Sequence, residues 1–295
     1  MISDRAKLAI GVVAALVLVG VLAVYSGFRV EDWRNIDPAF AALAVLASIG
    51  TVACRGFGYA LYAPDNTIAR GRWLDVGAQH QALFSLVPSG LGDLGFPVLA
   101  NRHAGVSIAT GAGIIGLARL RDILVLGAMF LAAMPFAAVG PWATLLPAAI
   151  LLILALALEP ALAALTGYVP KLAERLRAHS APALWLRSKR TALAAASWLA
   201  ASAAVWCAFR AAGSVLAPAE AVLLIGGLNA AGILAFTVGG LGIAELGAAA
   251  VLIWLGVTAE DATRTALTAR PLLLCSVVLA SALIMLFRRV SSRSF

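Results

Sequence analysis

Along this chain apolar residues come in long continuous runs, without the alternation or the one-sided stripes of a water-soluble fold. Runs at about 8–26, 39–62, 106–134, 141–158, 191–213 and 264–287 come close to or exceed the roughly 20 residues a helix needs to cross a hydrocarbon core about 30 Å thick. Two further runs, 73–101 and 219–256, are interrupted near the middle by glycine-rich sequence. Such a run forms either two spans or a re-entrant helical hairpin, and both return the chain to the side it came from. The pattern therefore predicts an all-α, polytopic integral membrane protein. It has about six spans plus two broken or re-entrant hairpins, in a single transmembrane domain over 1–295 with no soluble domain at either end. The first run follows Arg5 and Lys7 but lacks a small-residue cleavage site, so it reads as a retained span rather than a signal peptide.

The two interrupted runs resemble each other. One reads Pro88-Ser-Gly90-Leu-Gly92-Asp93, the other Gly239-Gly240-Leu-Gly242-Ile-Ala-Glu245. Each leads into a second match, Gly105-Val-Ser107 and Gly256-Val-Thr258, and each carries an arginine fourteen residues beyond that glycine, Arg119 and Arg270. The helix bearing Arg119 is predicted to run outward and the one bearing Arg270 inward. The segments 39–134 and 191–287 thus read as inverted repeats, an architecture common among transporters that alternate access to one central site.

Composition agrees with the pattern. Hydrophobic residues make up 62% and charged residues 12% of the chain, and the mean hydropathy is +0.97. A soluble domain carries far more charge. The net charge of +8 is scattered over short connections rather than gathered on a face, which points away from nucleic acid. Arg5, Lys7, Arg70, Arg72, Arg102, the basic residues of 159–190, Arg288, Arg289 and Arg293 fall on one side of the predicted topology. Arg29, Arg34 and Arg264 fall on the other, among Glu31, Asp32, Asp37, Glu260 and Asp261. The positive-inside bias then predicts an inner (cytoplasmic) membrane protein with both termini and the 159–190 connection cytoplasmic. Within that connection, 168–178 reads equally as an interfacial helix or a solvated linker. Cys54, Cys207 and Cys275 each stand alone in an apolar run, with neither disulfide nor metal spacing.

Candidate chemistry lies where charge meets apolar sequence. Glycine-rich breaks expose helix ends whose N–H groups favour phosphate, so the loops 88–95 and 238–247 are expected to touch substrate through Gly90, Gly92, Gly240 and Gly242. Asp93 and Glu245, one in each loop, would be costly as mere packing. Arg119, Arg121 and Asp122 interrupt an apolar span, where an ionisable residue normally faces the bundle interior and has a partner. Arg119 and Asp122, three apart, share a helix face. In this reading Arg119 binds a lipid phosphate and Asp122 positions it; the plain alternative is an ion pair tying helices together. Arg270 is the symmetry mate of Arg119, and Pro271 is expected to open its helix locally. Arg55 lies near enough to a span end to snorkel. His80, between two glutamines, suits a proton relay or a structural hydrogen bond. Arg210 reads as interfacial, and Glu260 and Asp261 as first-turn capping. No metal cluster, nucleotide phosphate loop or catalytic triad emerges, so no catalytic residue, metal or cofactor is assigned.

These motifs resemble the transmembrane domain family of lysylphosphatidylglycerol synthase. The resemblance rests on Pro88-Ser-Gly-Leu-Gly-Asp93, Arg119-x-x-Asp122, Gly239-Gly-Leu-Gly-x-x-Glu245 and the spacing from Gly256 to Arg270, and it covers about 10–287. It implies a flippase-like domain. No aminoacyl-transferase domain accompanies it here, which implies translocation without lipid synthesis. The sequence departs from the family pattern at Thr237-Val238 and at Leu94-Gly95-Phe96-Pro97; both departures bear on substrate identity, and the second weakens the implication of lysyl-lipid specificity. The expectation is thus flipping of a lipid or lipid-linked substrate by alternating access at a midplane cavity. The expected partners are anionic or phosphate-bearing membrane lipids and no nucleic acid; a homo-oligomer is compatible with the glycine content. The competing reading is an integral membrane transferase acting on a lipid phosphate, with Asp93 or Glu245 as base.

Overall fold

A computed structural model of the chain describes residues 4–63, 70–87, 91–134, 141–166, 182–234 and 240–291. Its helices, in chain order, are α1 (Asp4–Tyr25), α2 (Pro38–Ala60), α3 (Arg70–Leu86), α4 (Leu91–Ala104), α5 (Ile108–Ala133), α6 (Pro141–Thr166), α7 (Leu184–Ala211), α8 (Pro218–Leu234), α9 (Ile243–Trp254) and α10 (Ala259–Ser291), with a 3₁₀ turn at Val30–Asn35. The described residues include no strand. The protein is an all-α polytopic membrane protein.

Among the described residues, four helices are long and apolar enough to cross a bilayer: α2, α7, α10 and the Trp142–Ala164 part of α6. α6 shows why water is not the solvent. Only 17% of its apolar window is buried, and Trp142, Leu146, Ile150 and Ile153 stand exposed along it. Lipid is the medium in which that surface costs nothing. α5 is equally long at 26 residues, about 39 Å at 1.5 Å per residue, but carries Arg119, Arg121 and Asp122 mid-length.

The interrupted runs fold as two short helices each, α3 with α4 and α8 with α9. α4 and α9, with 14 and 12 residues, reach only about 21 and 18 Å, short of a full hydrocarbon core. Glycine lets each pair close. A Cβ on Gly247 of α9 would lie 2.5 Å from the Ala231 Cβ and 2.8 Å from the Gly227 carbonyl of α8. A Cβ on Gly92 of α4 would lie 2.6 Å from the Phe84 Cα of α3. Close packing is therefore one established role of Gly92 and Gly247.

The chain divides into two compact units. The first comprises Met1–Gly50, His80–Asp93 and Ala200–Leu283; the second comprises Thr51–Gln79, Leu94–Leu199 and Ile284–Phe295. In the first unit, Asp32 of the 3₁₀ turn accepts Arg264 Nε at 3.0 Å. The two acidic-basic connections expected on one side of the membrane thus meet. In the second, Asp75 of α3 accepts from Arg288 at the end of α10, and His103 of α4 bonds Gln79.

Several local expectations need correction. Asp93 lies in the first turn of α4, and helix resumes at Ile243, so neither 88–95 nor 238–247 is loop throughout. The cause is local in α9, where Gly242, at φ +85°, takes the N-cap position and Glu245 secures the first turn. α10 runs through Pro271 without interruption, as prolines do when neighbouring groups satisfy the freed carbonyl. Gly90, the turn at 88–90, the segment 235–239 and the 168–178 segment lie outside the described residues.

Candidate functional site

The charged centre of α5 organises the second unit. α5 starts at Ser107, whose hydroxyl accepts the Thr110 N–H, and small residues let it approach its neighbours; a Cβ on Gly111 would sit 2.9 Å from the Pro97 Cα of α4. Twelve to fifteen residues beyond Ser107 come Arg119, Arg121 and Asp122. Helical spacing turns Arg121 away from the Arg119–Asp122 face, and the structure builds a separate set of contacts on each.

On the first face, Asp122 is the hub. Its Oδ2 accepts Arg55 Nη1 of α2 at 2.8 Å and, more weakly, Arg119 Nη1 at 3.5 Å. Its Oδ1 accepts the Trp198 indole N–H of α7 at 3.1 Å. The Arg55 guanidinium lies 4.9 Å from the Trp198 ring centroid, a cation–π contact in a dry setting. Arg55 does not snorkel. It is 8% exposed and held inside because a buried guanidinium is tolerable only beside its carboxylate. Asp122, which sequence spacing paired with Arg119, is shared with Arg55, and Arg55 has the shorter bond.

On the second face, Arg121 is fully buried. It bonds the Tyr62 hydroxyl, the Ala155 carbonyl at 3.3 Å and Glu159 Oε2 at 2.5 Å. Glu159 also accepts Arg190 Nη1 of α7 at 2.9 Å through its other oxygen. Arg190 in turn donates to the Leu61 carbonyl just past the end of α2, covering an oxygen the helix end leaves without a partner. Pro160 has a similar consequence. It has no N–H for the Leu156 carbonyl four residues back, and Arg187 Nη1 supplies the donor at 3.1 Å.

Four guanidinium groups (Arg55, Arg119, Arg121, Arg190) thus surround two carboxylates (Asp122, Glu159), an excess of two positive charges. Beside them lies a cavity of about 30 Å³ lined by Arg55, Tyr59, Tyr62, Asp122, Arg190 and Ser197 among others. That is room for about one water molecule, and its walls mix these polar groups with Ala118, Leu193 and Ala194.

The first unit holds the remaining candidates in two groups. Glu245 is buried, and its Oε2 accepts the Gly242 N–H at 2.5 Å, so the carboxylate serves as its own helix's cap. Glu245 thus occupies one of the N–H groups at that break, the one of Gly242. Arg270 lies close enough to Glu245 to attract it electrostatically. Gly240, at φ +68°, begins the turn before this helix. In the other group, the buried His80 bonds Asp93 Oδ1 through Nε2 at 3.0 Å. Asp93 sits in the first turn of α4, where the helix dipole favours a negative charge. Arg210 stacks on the Phe40 ring at 5.4 Å, and Asp261 shares reciprocal bonds with Thr258 at the start of α10, the capping expected there.

Sequence reasoning missed Tyr62, Glu159, Arg190 and Trp198. Glu159 had a usable signal, being the single acidic residue of 141–166 and adjacent to a proline. The two aromatic partners had none, since nothing in their spacing separates a hydrogen-bonding Trp or Tyr from a packed one.

Apolar helices of membrane length, with ion pairs buried among them and an apolar exposed surface, define a multi-pass membrane protein. The chain belongs to the family described as the lysylphosphatidylglycerol synthase TM region, whose profile matches residues 7–286. That family membership makes it a membrane protein of lipid handling. No curated protein matches the chain.

Proposed function

We propose that this protein moves a lipid or lipid-linked substrate bearing a phosphate from one leaflet of the cytoplasmic membrane to the other, by alternating access. The observation that carries the reading is the set of four guanidinium groups, three buried and Arg119 part-exposed, gathered around the two carboxylates Asp122 of α5 and Glu159 of α6. Buried charge is expensive, and a surplus of one sign at membrane depth is stabilised when an anion joins it. A phosphodiester matches guanidinium donors in charge and planar geometry. Arg119 is the group best placed to make that contact. Its side chain is 23% exposed, against 8% for Arg55, and its bond to Asp122 is the weaker one.

The inverted repeat read from the sequence and the short helices α4 and α9 support alternating access, since broken helices recur at transporter sites. We place the basic helix ends and both termini in the cytoplasm. On this reading Arg55 and Asp122 position Arg119, while Glu245, Arg270 and the Gly240–Gly242 turn form the moving hairpin's own support.

A transferase reading draws on one observation, the His80–Asp93 pair, in which a part-exposed carboxylate orients an imidazole as in acid–base sites. Glu245 is a poor base by comparison, with its carboxylate committed to Gly242. The discriminating experiment incubates the protein in liposomes with phosphatidylglycerol, with a membrane-free cell lysate as the source of a group donor, and follows both leaflet distribution and lipid mass. Redistribution with unchanged mass supports translocation. A new lipid mass that disappears in His80→Ala supports the transferase.

A further inference from the structure

The small cavity beside the charged group is lined by residues of 54–62, by Ala118 and Asp122 of α5 and by the first half of α7, all within the second unit. Gly58, Ala118 and Ala194 have little or no side chain to fill it. Arg119 is not part of its wall, so whatever enters here is separate from a phosphate held at Arg119.

Two buried polar groups on this wall have no partner among the described residues. Ser197 is 1% exposed and Arg55 8%, yet Ser197 Oγ and Arg55 Nε make no hydrogen bond. Buried polar groups are nearly always hydrogen-bonded, and an exception asks what else supplies the partner. Arg55 cannot swing away to find one, because its Nη1 is held by Asp122 at 2.8 Å. Tyr62 is a third wall residue. Its hydroxyl accepts from Arg121 and, among the described residues, donates to none.

These are three donors in want of an acceptor. The carboxylates nearby are already committed. Asp122 gives Oδ1 to the Trp198 indole and Oδ2 to Arg55 and Arg119, and Glu159 gives one oxygen each to Arg121 and Arg190. Arg190, which also lines the cavity, spends its remaining donors on the Leu61 carbonyl. A water molecule would bring two hydrogens of its own into a wall that is short of acceptors. A halide ion accepts from every donor and brings none. Its single atom also suits a space of about 30 Å³, near one water's share of liquid volume, where a whole phosphate does not fit. The guanidinium beside it answers the rule that a buried charge needs an opposite one. We infer that this cavity binds a single halide ion such as chloride, held by Arg55 Nε and Ser197 Oγ. The inference goes beyond lipid translocation and does not depend on it.

The test follows thermal melting of the whole chain in detergent at fixed ionic strength, with sodium gluconate replaced stepwise by sodium chloride or bromide. Both halides should raise the melting temperature along a saturating curve. Ser197→Ala should raise the midpoint concentration about tenfold, the scale of one hydrogen bond to a charged group. In gluconate alone it should melt like wild type, since the hydroxyl has no protein partner. Ser281→Ala removes another buried hydroxyl without a partner, away from this wall, and should leave the halide response unchanged. A melting temperature indifferent to halide would leave the cavity to water and overturn the inference. A halide response undiminished in Ser197→Ala would overturn it too. So would phosphatidylglycerol micelles in gluconate protecting wild type but not Ser197→Ala while halide protects neither, which would give the cavity to a headgroup oxygen. Lipid movement is not read, so failure here leaves translocation standing.

Discussion

Arg55 Nη1 donates to Asp122 Oδ2 across 2.8 Å, with both side chains buried. The pair joins α2 to α5 at membrane depth, and its cost is asymmetric. Removing both partners together can be nearly neutral, whereas removing one leaves a buried charge alone, at roughly 3–5 kcal/mol. Asp122→Ala is therefore expected to lower the melting temperature in detergent sharply. The double variant Arg55→Met with Asp122→Leu should recover much of the loss. A double variant that melts as low as the single one would contradict the pairing.

Glu159 bridges two buried guanidinium groups, Arg121 and Arg190, whereas Asp122 pairs the buried Arg55 and, more weakly, the part-exposed Arg119. Glu159→Ala should cost at least as much as Asp122→Ala, on the scale of roughly 3–5 kcal/mol for one unpaired buried charge. Thermal unfolding of the two variants side by side gives the comparison. If Glu159→Ala were the milder change, the second face of α5 would not have the structural weight assigned to it.

The α8–α9 hairpin depends on the absence of a side chain at position 247. Gly247→Val would drive atoms into Ala231 and the Gly227 backbone, and overpacking of this kind costs about 1–3 kcal/mol. Ala231→Gly in the same chain should return part of that stability. Limited proteolysis of the 235–242 connection offers the readout: faster cleavage in Gly247→Val, slowed again in the double variant.

The Asp32 carboxyl is held below its ordinary value, first by the hydrogen bond from the Arg264 side chain and then by backbone and charge contributions from Arg29 and Arg264. A depressed carboxylate stabilises the fold above its unfolded value, near 3.9, and that contribution is lost as pH falls through the lower folded value. Asp32→Asn should therefore lower stability modestly at neutral pH and not at all in strong acid. Melting curves at pH 7 and near pH 2.5 check this, and an equal deficit at both would exclude the ion pair as its source.

The helices were readable because lipid imposes a simple rule: long apolar runs must be helical, and their ends gather charge. That Asp122 would be paired followed from the same rule, since a carboxylate within an apolar span needs a partner. Which partner it takes was not legible. The i, i+3 rule offered Arg119, but the shorter bond comes from Arg55, 67 residues away, through a packing of α2 on α5 that no local pattern encodes. Glu245 shows a different limit. Its place after a glycine break suggested an acid in a substrate-contacting loop, whereas a helix starts after Gly242, at positive φ, and the same carboxylate caps it.

The most direct test of lipid translocation reconstitutes the protein into liposomes with a fluorescent phosphatidylglycerol and follows dithionite quenching, comparing wild type with Arg119→Ala. Arg119 is the part-exposed member of the charged group, so the variant is expected to fold. Wild type should expose inner-leaflet probe faster than empty liposomes, and Arg119→Ala should abolish the difference while retaining its melting temperature. Probe movement equal in wild type and empty liposomes, or undiminished in a well-folded Arg119→Ala, would contradict translocation through this site.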